Sequence, residues 1–194
     1  MSTVGATQAM TVRYLIDAKG STFTVKATAT GMLSVFGHNP TIAIPDFDGE
    51  ARFASSTLEH ASLRLTIQAA SLVVTDDISN KDRAEIERRM HDEVLEADGF
   101  PEIIYECPGD CPVQKLGEGL YSASLNGELT MHGVTRSQPL SARVTLKEDS
   151  LRASGEFAVR LSDYEIRPVS AAGGTVKLKN EIKLSFNISA RQQM

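Results

Sequence analysis

The chain has 194 residues, 41% of them hydrophobic and 23% charged, the balance of a globular domain that buries one core. Its formal net charge of -5 comes from interleaved acidic and basic residues, so there is no basic stripe for a phosphate backbone and nucleic acid is not an expected partner. No stretch reaches the roughly 18 consecutive apolar residues of a membrane-spanning helix, and residues 1–10 lack the charged and apolar blocks of a secretory leader, which predicts a cytoplasmic protein without an integral membrane segment.

Period-two alternation dominates the rest, the trace of strands with one apolar and one polar face. Phe23, Val25, Ala27 and Ala29 share one parity, against Thr22, Thr24, Lys26 and Thr28. Pro40 and Pro45 bracket a run around Ile42 and Ile44, and since proline donates nothing to a ladder this piece is expected to be short, bulged or at an edge. Phe47, Gly49, Ala51 and Phe53 form the next face, followed by Ala61, Leu63, Leu65 and Ile67.

The pattern then changes. Ile86, Met90 and Val94 recur at four-residue spacing among charges, which predicts an amphipathic helix over about residues 80–97. Ser79 with Asp82 resembles a capping box, and Gly99 and Pro101 stand where a helix stops. Beyond it, Cys107 and Cys111 flank Pro108-Gly109-Asp110, a turn sequence that brings two thiols near each other. In the expected cytoplasmic setting they are read as free thiols rather than a disulfide, and the CxxxC spacing, with no second pair, is not that of a metal or redox motif.

Four more runs alternate: Tyr121, Ala123, Leu125, Leu129 and Met131; Leu140, Ala142, Val144 and Leu146; Ala153, Gly155, Phe157, Val159 and Leu161; Ile182, Leu184, Phe186 and Ile188. Residues 147–150 read as a hairpin loop, and Gly173-Gly174 as a turn opening the last run. Eight or nine strands and one helix fit a mainly β fold, an eight-stranded antiparallel barrel occupying residues 1–194 as a single domain. Its shared apolar parity must face inward. Small residues such as Ala27, Ala29, Gly49, Ala51 and Ala123 on that parity leave room for a tunnel, while alternation alone serves a solid core equally well.

The stretch Leu125-Asn126-Gly127-Glu128-Leu129-Thr130-Met131-His132-Gly133-Val134-Thr135-Arg136 resembles the G-x-L-T-x-x-G-V-T-R segment of the YceI-like family of lipocalin-type polyisoprenoid-binding proteins. Tyr14-Leu15-Ile16-Asp17, Ser21-Thr22-Phe23 and Phe100-Pro101-Glu102-Ile103 follow in that family's order, and Phe36-Gly37-His38-Asn39-Pro40 is similar to a Gly-His variant of some members. The chain departs from the family in Tyr14-Leu15, where an aromatic usually precedes Ile-Asp, and in Ser79-Asn80-Lys81-Asp82-Arg83, where Arg-Asp usually precedes the helix. The resemblance implies a lipocalin-like barrel enclosing the tail of an isoprenoid or other amphiphile, many members being periplasmic.

On that reading Phe23, Val25, Phe53, Leu63, Leu65, Leu125, Leu129, Phe157 and Leu184 are expected to form the ligand wall. His38 and His132, each beside a glycine at the end of a β-patterned run, are expected nearer the mouth, where a polar head group meets a few polar side chains. His60 and His91 read as solvated or locally bonded residues.

A zinc or iron site needs three or four ligands, and neither closely spaced His/Glu nor paired cysteines supply them, so no metal or cofactor is expected. No G-x-S-x-G elbow exposes a serine nucleophile, and Gly173-Gly174 is not followed by the lysine of a phosphate loop. The expected function is non-catalytic binding, carriage or storage of a long isoprenoid or fatty amphiphile. Two alternatives stand beside it, a metal-assisted enzyme acting on an amphiphile through His38 and His132 and a ligand-free stress or interaction protein; a homodimer stays open.

Overall fold

The computed structural model of the chain describes residues 10–30, 40–55, 58, 60–109, 111–167, 170–171 and 176–193. Eight strands carry the architecture: β1 (Thr11–Lys26), β2 (Phe47–Ala54), β3 (Ser62–Gln68), β4 (Glu102–Cys107), β5 (Leu120–Met131), β6 (Val134–Lys147), β7 (Ser150–Arg160) and β8 (Glu181–Gln193). Each pairs antiparallel with the next, and β8 returns to β1, from Arg13↔Gln193 to Lys26↔Lys183. The result is a closed up-and-down barrel, which leaves none of the eight as a free edge.

Closure fixes which parity faces in. Along β6, Leu140, Ala142 and Val144 are buried while Ser141, Arg143 and Thr145 are exposed, and β7 repeats the pattern. The polar face carries its own pairs: Arg13 and Arg52 both reach Glu50, and Arg64 meets Glu106 across β3 and β4. The bracketed run is short, as its prolines require: Thr41–Ala43 pairs with the end of β1 on one side and with Val73–Val74 on the other. A small three-stranded sheet joins Ala29–Thr30, Val176–Leu178 and Ser170–Ala171, so Ala29 has left the barrel ladder. Gly173-Gly174 lies outside the described residues.

β1 holds the main irregularity. Its pairing with β8 takes five steps from Asp17 to Thr22 while β8 takes two from Ser189 to Asn187, so an odd excursion flips the parity. Inward residues are therefore Tyr14 before the bulge and Phe23 and Val25 after it. The excursion is held locally: the Gly20 N–H and the Ser21 hydroxyl donate to Asp17, and Ser21 Oγ accepts the Ser189 N–H at 2.9 Å.

Helix α1 (Asn80–Arg89) starts where Ser79 Oγ accepts the Asp82 N–H at 3.1 Å and donates to Asp82 Oδ2 at 2.7 Å. It runs into a wider π-type turn at Met90–Val94, closed by Leu95 N–H to Met90 O at 2.9 Å, and so ends three residues before the expected limit at Ala97. The two cysteines are not the free thiols expected. Cys107 and Cys111, both buried, are joined in a disulfide across the turn between β4 and the short strand Val113–Gly117.

Candidate functional site: an apolar hollow under the helix

The barrel interior divides into two parts. At the end where β1 begins, Tyr14, Phe53, Leu58, Ala123, Val144 and Leu151 interdigitate into a solid plug, with Tyr14 and Phe53 stacked at 5.2 Å. At the other end the strands enclose a cavity of about 310 Å³, within the range of small-molecule pockets. Ile16, Leu125 and Phe186 touch both regions and form the floor. Phe186 lies flat there because Gly155 opposes it; a Cβ at that glycine would fall 2.7 Å from its Cζ.

Exposure decides between solid core and hollow. Leu63, Leu65, Leu125, Phe157, Leu184 and Phe186 all point inward, yet each is only half-buried because it borders open space. Ala27, Ala142 and Ala153 also border it, and truncated side chains at these inward places are what keeps the space unfilled. Ala142 and Ala153 also pack against the plug, and Ala123 belongs to the plug without bordering the cavity.

The roof is the helix. Ile86, Met90, Val94 and Leu95 turn their apolar face onto the cavity, and the polar face turns outward. Three bonds hold the roof to the segment before it: Glu87 Oε1 accepts the Val74 N–H at 2.8 Å, His91 Nε2 bonds Leu72 O at 2.9 Å, and Arg83 Nη2 donates to Asp76 O at 2.9 Å. His91, expected to be solvated or locally bonded, is thus a tether.

Most of the expected wall is assembled here: Phe23, Val25, Leu63, Leu65, Leu125, Leu129, Phe157 and Leu184 all border the cavity. Phe53 does not, because it sits in the plug beyond the floor. His132 does not either. It holds φ +53 in the turn between β5 and β6, packs on Phe100 at 4.2 Å between ring centroids, and places Nε2 3.3 Å from Glu96 Oε1 without the alignment of a hydrogen bond. It therefore fastens the segment after the helix to the barrel. His38 lies outside the described residues. Among those residues no three His, Cys, Asp or Glu side chains gather as a metal site would require.

Three residues bordering the cavity were not anticipated as polar members of the site. Tyr105 borders the cavity with its hydroxyl turned into the wall, and burial pushes that hydroxyl up to about 12. Asp76 and Arg89 supply the charge at the roof. In sequence Arg89 belongs to a run of alternating charges that reads as a solvated helix face, and only the fold shows that it borders the cavity.

A family model described as the YceI-like domain matches residues 14–190. No curated protein matches the sequence. Among solved structures, the fold is similar to that of Burkholderia cenocepacia BcnA, at 14% identity and a TM-score of 0.66, covering 90% of this chain and 98% of that one. It is equally similar to a polyisoprenoid binding domain from Saccharophagus degradans implicated in plant cell wall breakdown, at 14% identity and a TM-score of 0.66 over 93% and 98% of the two chains. The Campylobacter jejuni YCEI protein follows with 16% identity and a TM-score of 0.55 over 79% and 85%.

Proposed function

We propose, from the premise that the chain belongs to the YceI-like family, that it binds a long apolar amphiphile in the hollow half of its barrel and carries or stores it without changing it covalently. The observation that carries this reading is the half-burial of the inward leucines and phenylalanines around the cavity. Apolar side chains left facing a void forfeit both burial and dispersion contacts, and an apolar occupant restores them at about 25 cal/mol per Å². A polyisoprenoid suits a wall of apolar side chains, and one structural relative is a polyisoprenoid binding domain.

Native mass spectrometry of the purified protein, followed by organic extraction, tests this. The expected result is a long-chain amphiphile at about one per chain, since a single cavity holds one drug-sized ligand. A bare protein that also refuses added isoprenoids would overturn it. Leu65→Asp, which puts a charge into the cavity wall, is expected to abolish loading while circular dichroism still shows the barrel.

A further inference from the structure

Resting on the reading of the hollow as the seat of one amphiphile, we propose that Arg89 selects an occupant whose polar end is an anion, a carboxylate or a phosphate. Among the described residues Asp76 and Arg89 are the charged ones bordering the cavity, and they differ in their partners. Asp76 Oδ2 accepts the Thr41 N–H at 2.7 Å, so its carboxylate already serves the loop under the roof. Arg89 gives its Nε to Glu85 at 2.7 Å, and its Nη1 and Nη2 hydrogens have no acceptor among the described residues.

A guanidinium has two edges that match a planar or tetrahedral oxyanion. Glu85 occupies one of them in Arg89, and the edge between Nη1 and Nη2 remains. The side chain is 34% exposed while Met90, the next residue, is 7% exposed and faces the cavity, so the border between water and apolar interior runs past Arg89. Arg83 adds a second unmet donor. It reaches the carbonyl of the same Asp76 and holds a buried Nε with no acceptor among the described residues. A ligand that brings oxygen lone pairs and negative charge meets these donors, whereas a hydroxyl does so weakly and an ammonium adds another donor.

The test keeps the chain length fixed and changes the head. Palmitate, hexadecyl phosphate, hexadecanol and hexadecylamine are titrated below their micellar concentrations into delipidated protein and followed by calorimetry. The wild type is expected to hold both anions about tenfold or more tighter than hexadecanol, the advantage of a charge-assisted bond. R89Q should erase that preference, bringing both anions to within about twofold of hexadecanol. R88Q removes another arginine bonded to Glu85 that does not border the cavity, and should leave the preference intact. Equal affinities for all four, tighter binding of hexadecylamine, or a preference that survives R89Q would each overturn the assignment to Arg89. Binding of none of the four would overturn the reading of the hollow itself, an outcome distinct from a failure of head-group selection. The stronger of palmitate and hexadecyl phosphate identifies the anion.

Discussion

At Tyr105 a side chain stands in for missing backbone. β4 stops at Cys107, the short strand Val113–Gly117 takes up the same edge of β5, and Gly127 follows directly on the last β4–β5 pair, Glu106↔Glu128. The Gly127 N–H donates to the Tyr105 hydroxyl at 3.1 Å, and that hydroxyl lies 3.2 Å from both Leu125 O and Gln138 O. Glycine is required there, because a Cβ would fall 2.5 Å from the Tyr105 hydroxyl and 2.5 Å from Glu106 O. Gly127→Ala should therefore cost about 1–3 kcal/mol, read as a lowered urea midpoint. Tyr105→Phe should cost a similar amount, about 1–3 kcal/mol, by leaving a buried N–H unpaired. The same burial makes a pH prediction. A hydroxyl whose folded pKa is about 12, above the usual 10.0, contributes stability that is complete below pH 10 and is lost as the pH rises through 12. Burial also raises Tyr14 and Tyr164, so Tyr105→Phe should remove one late-ionising phenolate from the absorbance titration and flatten the alkaline loss without abolishing it. Amplitude lost near pH 10 rather than near pH 12 would show that Tyr105 ionises freely.

Among the elements, the disulfide closes the gap that Tyr105 spans. Cys107 and Cys111 tie the end of β4 to the approach of the next strand across a four-residue separation, a short loop for which the chain-entropy account gives about 2 kcal/mol. Dithiol reductant is expected to lower the urea midpoint of the wild type by that amount and to leave a Cys107→Ala, Cys111→Ala double variant unmoved; equal shifts in both would assign the effect elsewhere. At the other junction, Ser79→Ala removes the oxygen that accepts the Asp82 N–H and should cost about 1 kcal/mol in the roof. How far these elements can be read from sequence follows from their periodicity. β2, β3, β6, β7 and β8 alternate cleanly and are legible, and α1 announces itself through Ile86, Met90, Val94 and the Ser79 cap. β1 is only half legible because its bulge reverses parity between Tyr14 and Phe23, so one continuous strand reads as an unpatterned start and a patterned finish. In β4, Ile104 stands among outward-facing Glu102 and Glu106 and blurs the inward set of Ile103, Tyr105 and Cys107. Val113–Gly117 has an exposed core of Gln114, Lys115 and Leu116 and carries no apolar parity at all. The setting of His132 is hidden from sequence for a tertiary reason: its partners, Phe100 and Glu96, lie more than thirty residues away, and no local spacing reveals them.

The whole molecule is a barrel with two unlike halves, and parity is blind to the difference. Leu151 and Leu184 sit on the inward faces of adjacent strands β7 and β8, and nothing in their neighbours' alternation separates them. Leu151 is 7% exposed in the plug, whereas Leu184 is half-buried because part of its surface meets the hollow. What distinguishes the halves is volume. Stacked Tyr14 and Phe53 fill one end, while Ala27 at the other end, and Ala142 and Ala153 where the plug meets the cavity, leave space unfilled, and that sum becomes visible only once the fold brings these residues together. The division has a measurable consequence. Leu151→Ala opens a void in a packed region, losing its burial and every contact around it, and should cost about 3–4 kcal/mol. Leu184→Ala enlarges a space that already exists, so fewer contacts are lost and the cost should stay near 1–2 kcal/mol in delipidated protein. Loading adds a second readout, because a ligand that binds only the folded chain raises stability by RT ln(1 + [L]/Kd). An occupant touching Leu184 should therefore widen the gap between wild type and Leu184→Ala while leaving that between wild type and Leu151→Ala unaltered. Equal costs for the two truncations in the empty protein would mean that the hollow half collapses onto itself in solution, which would favour a filled barrel over a carrier.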